Sequence, residues 1–180
     1  MIKKYFIENV KAFLCDKNNV TAQFWINTTD FRAMHSHEDY WEFSVVMDGT
    51  ICNHLNGKTF VCTPGTLFYC TTKDVHNLTS DDENVRYVNF TVAQPTVLQL
   101  LAPLSARTVD KLYRNDRVYA LPTGMFSAID GILHTANLIP PEQYEKSNDI
   151  IVSQIMDFLQ FIVIRLQSED NPNEPAWIQT

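Results

Sequence analysis

The first half of the chain alternates between short apolar runs and turn signals. Runs rich in β-branched and aromatic residues recur over residues 20–92, and each ends after a few residues in polar or glycine-containing sequence. Asn56-Gly57 between two such runs is typical of a two-residue hairpin, and Asp48-Gly49 predicts another turn. Many short strands joined by tight turns predict a β-sandwich or β-barrel. The predicted strands lie within VTAQFWIN, YWEFSVVMDG, ICNHLNGKTFVC, TLFYCT, VHNLTS and VRYVNFTV.

The apolar spacing changes from a strand period to a helix period after residue 94. Residues 95–101 predict a short helix stopped by the next proline, whereas residues 106–120 are too charged and irregular to assign. Pro122 is a good first-turn residue for a helix that ends near Pro140. The apolar stripe of that helix comprises Met125, Phe126, Ile129, Ile132, Leu133 and Ala136.

The last predicted helix follows Ser147, and its apolar face covers close to half of its circumference. So wide a face fits two partners. One partner is the helix before it, and the other is either the barrel or the same helix of a second subunit, because the pattern does not separate these alternatives. The candidate dimerisation residues on this face are Ile155, Phe158 and Ile162.

The composition is typical of one folded globular domain. The chain has 180 residues, of which 45% are hydrophobic and 19% charged. Its 14 Lys and Arg against 21 Asp and Glu give a formal net charge of -7, so the chain as a whole repels phosphate backbones. We therefore do not expect this chain alone to bind nucleic acid.

The apolar stretches of the chain predict neither export nor membrane insertion. Charged residues break the N-terminal apolar run before it reaches the length of a signal peptide. The most apolar late stretch, residues 150–166, contains Gln154, Asp157, Gln160 and Arg165, which are costly in lipid. The sequence predicts a cytoplasmic protein that spans no membrane.

The four cysteines predict reduced thiols. None lies in a C-x-x-C pair, which removes zinc-ribbon and thioredoxin-like spacing. A two-residue turn at Asn56-Gly57 pairs residue 52 with 61 and residue 51 with 62, so Cys52 and Cys62 project from opposite faces. A disulfide between them is disfavoured, which fits a reducing cytoplasm.

Three histidines and one glutamate form the candidate chemical site. His35 and His37 are one residue apart, so both imidazoles project from the same face of a strand. Five positions separate His37 from Glu42, so a turn at residues 38–39 or a bulge is needed to bring Glu42 to the same side. His76 opens a later strand and can supply a third nitrogen. Such a set suits Zn, Ni, Mn, Fe or Cu, although each histidine alone is better explained as a hydrogen-bonded residue.

The spacing of these residues resembles the first signature of the cupin superfamily, because His35-x-His37 is followed by Glu42 and then by Gly49. This resemblance implies a mainly β fold, in which a cupin barrel is followed here by C-terminal α-helices. It also implies His35, His37, Glu42 and His76 as ligands of a divalent transition metal, with a filled and an empty site left as alternatives.

The second cupin signature is present in outline. Gly65 is followed at the expected spacing by Thr71-x-Lys73 and then by His76. Thr71 and Lys73 replace the proline and second glycine of that signature, and Ser80 replaces its closing asparagine. The turn that delivers His76 is therefore expected to have a different shape, and an inward-pointing Lys73 would lower metal affinity.

A longer pattern resembles the N-terminal effector-binding and dimerisation domain of AraC-type bacterial transcription regulators. It comprises HSHEDYWEFSVVMDGT, the NG hairpin, PGTLFYCTTKDVH and two helices, within Phe24–Trp177, and is most similar to regulators of chitobiose utilisation. The resemblance implies a small-molecule effector, often a sugar, bound by the barrel, and helices that pair two subunits as a homodimer. DNA would be bound only through C-terminal helix-turn-helix units outside these residues.

The same resemblance implies three segments. Residues 1–94 are the predicted cupin barrel, with a lead-in strand in about the first 20 residues. Residues 95–168 are the helical dimerisation segment, and residues 169–180 are a polar linker toward the helix-turn-helix domain.

Two aromatic residues are candidate contacts for a sugar. Tyr40 shares strand parity with Glu42, which predicts a ring and a hydroxyl inside the barrel beside the metal or effector. Trp25, on an earlier strand, is a second possible stacking platform, although an aromatic residue on a barrel strand is more often core.

The alternative is a stand-alone metal-dependent cupin enzyme of the isomerase or dioxygenase type. Its metal would act as a Lewis acid or activate oxygen. Catalysis also needs a positioned acid or base, and beyond the four ligands the strands offer no obvious one, because His54 on the hairpin is predicted to face solvent. The sequence therefore favours a binding domain over an enzyme.

Overall fold

Two five-stranded sheets form the first part of the structure, a computed structural model that describes residues 6–8, 20–26, 33–114, 116–137 and 144–168. The strands are β1 (Phe6–Glu8), β2 (Val20–Ile26), β3 (His35–His37), β4 (Tyr40–Asp48), β5 (Ile51–Leu55), β6 (Lys58–Cys62), β7 (Thr66–Cys70), β8 (His76–Thr79), β9 (Arg86–Ala93) and β10 (Val118–Ala120). Their order is β1-β3-β8-β5-β6 in one sheet and β10-β7-β4-β9-β2 in the other. β1 and β3 pair in parallel, and the other pairings are antiparallel. The predicted mainly β architecture is confirmed.

The Asn56-Gly57 hairpin sets the register of β5 and β6. Asn56 has φ 51° and Gly57 has φ 83°, the left-handed pair that a tight two-residue turn requires. Cys52 pairs with Val61 and Ile51 with Cys62, as the turn predicts. Cys52 and Cys62 therefore lie on opposite faces, and both are free thiols, as is Cys70.

Strand β4 is buried on both faces, which explains its nearly continuous apolar sequence. Val46 packs with Phe68 in a cluster between the two sheets. Trp41 and Phe43 lie on the opposite face, in the larger core that includes the last helix. Strand alternation thus separates a barrel interior from an outer face that requires a cover.

Four helices follow β9: α1 (Gln94–Leu101), α2 (Ala106–Arg114), α3 (Thr123–Asn137) and α4 (Tyr144–Ser168). α1 and α3 match the predicted helices, whereas α4 begins at Tyr144 rather than after Ser147. α2 falls in the stretch left unassigned from the sequence, and Leu112 is its fully buried residue among charged neighbours. Its start is capped by Ser105, whose hydroxyl accepts a hydrogen bond from the Thr108 N–H at 3.2 Å.

Strand β10 lies within the segment 95–168 that is predicted to be helical. Tyr119 of β10 pairs with Leu67 of β7, so the chain returns to the second sheet after α2. Three residues are too few for a visible period in the sequence, which is why this strand escaped prediction. The predicted linker, residues 169–180, lies outside the described residues.

The apolar face of α4 packs on the outer face of the second sheet. The Phe158 ring lies 5.3 Å from that of Phe90 and 6.3 Å from that of Phe43, between centroids. Ile155, Phe158 and Ile162 are completely buried within the chain itself. Their assignment as dimerisation residues is therefore corrected: they supply the cover that the sheet requires, and burying each side chain contributes roughly 1.5–3 kcal/mol.

Candidate functional site

Strands β3 and β8 bring three histidines together at one end of the barrel. His35 and His37 lie on the same face of β3, and His35 pairs across the strands with His76, the first residue of β8. The strand breaks at residues 38–39 before β4 begins at Tyr40, where a turn was predicted. Strand periodicity and strand pairing together produce this cluster.

The three imidazoles are buried and converge. His35, His37 and His76 each offer a nitrogen, and these nitrogens all lie within 4.8 Å of one another. The Nε2 atoms of His37 and His76 are 3.2 Å apart. Burial lowers the pKa of His76 well below its usual value, and the neighbouring His37 and His35 lower it further. His76 is therefore neutral near pH 7, the form that binds a metal.

The hydrogen bonding of the cluster suits a metal ligand set. His35 Nδ1 lies 2.9 Å from the Ala33 carbonyl oxygen, which can only accept, so Nδ1 carries the proton and Nε2 keeps its lone pair. His76 Nδ1 is buried without a hydrogen-bond partner among the described residues. Neutral imidazoles in this arrangement fit Zn, Ni, Mn, Fe or Cu.

Glu42, the predicted fourth ligand, does not belong to the group of converging ligand atoms among the described residues. It lies on β4 opposite Cys70 and Thr91, and its Oε1 atom is 3.4 Å from the Ser44 hydroxyl oxygen. Burial, together with the negative charge of Glu42, raises the pKa of the Cys70 thiol well above its usual value. Glu42 is thus half-buried beside Cys70.

Of the two candidate sugar-contacting residues, only Tyr40 has a side chain within the described part of the structure. The Tyr40 ring stacks on the His37 ring, with centroids 4.2 Å apart and planes 20° from parallel, and only 2% of the residue is exposed. Trp25 lies on β2 opposite Tyr87, but its side chain is outside the described part of the structure. Tyr40 therefore joins the histidine cluster directly.

A polar layer lies deeper in the barrel, between the histidines and an apolar floor. The Ser44 hydroxyl donates to Asn89 Oδ1 at 2.6 Å, and Asn53 is fully buried on β5. These residues were not predicted from the sequence, although Asn53 has the parity of its apolar neighbours Ile51 and Leu55, which indicates an inward-facing side chain. The floor comprises Val46, Ile51, Cys62, Phe68, Leu78, Val85 and Tyr87.

A buried ion pair holds the loop that precedes His76. Asp74 pairs with Arg117, and its Oδ2 accepts hydrogen bonds from the backbone and hydroxyl of Thr71, each 2.7 Å long. Burial acts to raise the pKa of Asp74, but hydrogen bonds from Arg117 and Asn56 outweigh it, so the pKa is lowered. Thr71, at the proline position of the signature, thus anchors this loop through its hydroxyl.

Lys73, at the glycine position of the second signature, lies on the surface. Its Nζ atom sits 4.2 Å from the centroid of the Tyr113 ring on α2. The Lys73 charge is therefore held against α2 on the outside of the barrel, so the expected penalty for an inward-pointing lysine does not arise.

His54 has different hydrogen-bond partners from the three clustered histidines. Its Nδ1 bonds to Thr59 Oγ1 and its Nε2 to Thr79 Oγ1, both at 2.9 Å, on the outer face of the first sheet. Both ring nitrogens are occupied by hydroxyl groups of the chain. His54 therefore lies on the outer face of the hairpin, away from the three clustered histidines.

The chain is similar to several solved structures. A variant of apo ToxT from Vibrio cholerae strain SCE256 matches at 12% identity with a TM-score of 0.55, over 77% of this chain and 55% of ToxT. The chain thus spans about half the length of ToxT. The Cupin_2 domain of an XRE family transcriptional regulator from Enterobacter cloacae matches at 14% identity and TM-score 0.38, over 43% of this chain and 85% of that one. The WlaRB TDP-quinovose 3,4-ketoisomerase from Campylobacter jejuni matches at 12% and 0.37, over 40% and 61%.

The sequence comparison places the chain in a family. No curated protein sequence matches it significantly. Within the described residues, no helix combines the length and apolar character needed to cross a membrane. The family model described as the AraC-like ligand binding domain matches residues 17–157, most of the chain. The chain, a cupin-type barrel followed by helices, therefore belongs to the AraC-like ligand-binding domains.

Proposed function

We propose that this chain senses a sugar in the cytoplasm as the effector-binding part of an AraC-type transcription regulator, and that it is not an enzyme. The observation that carries this proposal is the buried polar site inside the barrel, where Tyr40 stacks on a cluster of three histidines. An aromatic ring beside a small number of buried polar groups is typical of small-molecule recognition.

The charges around the site favour a neutral effector. Arg117 is the one Lys or Arg residue that is buried among the described residues, and Asp74 pairs with it. A carboxylate or phosphate ligand inside the barrel would therefore find no unpaired buried lysine or arginine among the described residues. Histidine, tyrosine, serine and asparagine side chains instead fit the hydroxyl groups of a sugar. Chitobiose is the specific candidate suggested by the sequence resemblance.

We further propose that His35, His37 and His76 hold a divalent transition metal, with Glu42 of β4 as an additional ligand. The buried, convergent nitrogens support this part of the proposal. A bound metal would supply a Lewis acid for an effector hydroxyl. The chain itself would fix the ligand tautomer through the Ala33 carbonyl.

The regulator as a whole would act as a homodimer and bind DNA through a separate C-terminal domain. The exposed side of α4 carries Met156 and Ile164, with 52% and 44% exposure, and we propose this side as the subunit contact in place of the buried face. The net charge of -7 supports the proposal that a separate domain contacts DNA, because an acidic chain repels phosphate groups.

The metal is tested by loading the purified domain with Zn²⁺ or Ni²⁺, desalting it and measuring bound metal by mass spectrometry. We expect near-stoichiometric metal in the parent and none in the double variant His37→Ala, His76→Ala. His54→Ala is the matched control, because His54 lies outside the cluster. A parent that retains no metal would contradict the metal centre.

The effector is tested by thermal shift with a panel of neutral sugars: glucose, galactose, mannose, arabinose, N-acetylglucosamine and chitobiose. A binding sugar stabilises the folded domain in proportion to its occupancy. We expect at least one sugar to raise the melting temperature of the parent, and Tyr40→Ala to abolish this increase. A panel without any increase would contradict sugar sensing.

A further inference from the structure

Asn53 is a fully buried polar side chain inside the barrel. It is 0% exposed, and neither its Oδ1 nor its Nδ2 atom has a hydrogen-bond partner among the described residues. Ile51 and Leu55, its neighbours of equal parity on β5, are also buried, so Asn53 faces the barrel interior. A buried primary amide without partners is costly, because it has given up its hydrogen bonds to water.

The position of Asn53 connects it to the histidine cluster. Leu55 pairs with His76 across β5 and β8, and Asn53 pairs with Leu78, two residues further along β8. Asn53 and His76 are therefore diagonal neighbours on one face of the sheet, within reach of a single bound molecule. Asn53 lies one layer deeper than the histidines.

The second sheet also carries polar residues on its inner face, Ser44 on β4 and Asn89 on β9. Ser44 is the next residue after Glu42 on the same face of β4, and its hydroxyl donates a hydrogen bond to Asn89 on β9. Ser44 thus has its partner inside the chain, whereas the amide of Asn53 does not. An incoming molecule would satisfy Asn53 without breaking an existing hydrogen bond.

We propose that Asn53 contacts the effector directly and selects for two adjacent hydroxyl groups. This inference rests on the proposed sugar-sensing function and specifies which residue recognises the ligand. The Oδ1 atom would accept a hydrogen bond from one hydroxyl, and the Nδ2 group would donate one to its neighbour. A primary amide has one acceptor and one donor edge in a plane, which matches a vicinal diol.

The physical consequence is an opposite effect on stability and on binding. Asn53→Leu keeps a similar side-chain volume and removes both unpaired groups, so the unliganded variant should melt at or above the temperature of the parent. The same change should lower the affinity for the sugar that binds the parent best by about tenfold or more. A purely structural asparagine would lose stability on this change and leave sugar affinity intact.

The experiment measures sugar affinity by isothermal titration calorimetry for the parent, Asn53→Leu and the matched control Asn77→Leu. Asn77 lies on β8 opposite His54, on the outer face of the sheet, so its loss should leave affinity unchanged. Asn53→Ala is the second variant, in case leucine prevents folding. The sugar and its deoxy analogue, which lacks one hydroxyl of the diol, are both titrated.

The expected result is that Asn53→Leu or Asn53→Ala strongly lowers the affinity for the full sugar. The affinity for the deoxy analogue should fall much less. Equal affinity of the parent and both Asn53 variants would overturn the role of Asn53 and leave sugar sensing intact. Equal loss of affinity for both sugars, with a lower melting temperature, would show that the substitution disturbs the site without removing a contact to the diol, and would also overturn the inference. If no panel sugar binds the parent, the sugar proposal fails, and this inference with it.

Discussion

The carboxylate of Asp74 pairs with the guanidinium of Arg117, and both side chains are buried. Arg117 also donates to the carbonyl oxygens of Leu112 and Tyr113 in the last turn of α2. Asp74 belongs to the loop that leads into His76. One ion pair therefore fastens the chain segment before the histidine cluster to the end of a helix that packs in the main core.

Arg117→Met should destabilise the domain by about 3–5 kcal/mol, because it leaves Asp74 buried without its cation. Urea unfolding followed by tryptophan fluorescence measures this loss. Arg114→Met is the matched control: Arg114 forms an exposed ion pair with Asp110 and should change stability by less than about 0.5 kcal/mol. Equal midpoints for the two variants would contradict the structural role of the buried pair.

Phe158→Ala should cost about 3–5 kcal/mol, because Phe158 is fully buried between α4 and the rings of Phe43 and Phe90. Differential scanning calorimetry measures the expected drop in melting temperature. The loss should be the same at low and high protein concentration, since the contacts lie within one chain. A loss that grew on dilution would indicate a subunit contact instead.

Met156→Glu combined with Ile164→Glu should leave the melting temperature of the dilute protein nearly unchanged, because both side chains are exposed. The same double variant should shift the domain from dimer to monomer in sedimentation equilibrium, if the exposed side of α4 pairs two subunits. Gln160→Glu, on an exposed position between them, is the control for added charge alone. A double variant that remains dimeric would exclude this side of α4 as the contact.

Cys52 should react with iodoacetamide in the native protein, whereas Cys62 should not. Burial raises the pKa of the Cys62 thiol to about 11, so at about pH 8 only about one thiol in a thousand is ionised. Cys52 is half-buried and lies on the outer face of the same hairpin. Peptide mass spectrometry of native and urea-unfolded samples gives the extent of labelling at each site. Rapid native labelling of Cys62 would show that the hairpin does not cover it.

The sequence predicted those features whose information is local. The Asn56-Gly57 turn determines the pairing of its two strands, and the spacing of His35 and His37 places both on one face. A wide apolar face on α4 indicates burial, but it does not identify the partner. The structure was needed to assign that face to the barrel rather than to a second subunit.

The features missed from the sequence depend on contacts between distant segments. Asp74 and Arg117 meet because α2 brings the chain back beside the loop before β8, and no local pattern marks this pairing. Asn53 was passed over for a different reason. Strand alternation in the sequence already indicates that Asn53 points inward. That its amide has no hydrogen-bond partner among the described residues follows only from the packing of β5 between β6 and β8.

Strand β10 makes completion of the second sheet depend on a late part of the chain. β7 pairs with β4 on one side and with Val118–Ala120 on the other, so without residues beyond α2 one side of β7 has open backbone hydrogen-bonding groups. During synthesis, that edge can pair with other chains until residue 120 has emerged. A fragment cut at residue 94 would keep the histidines but would be prone to edge-to-edge aggregation.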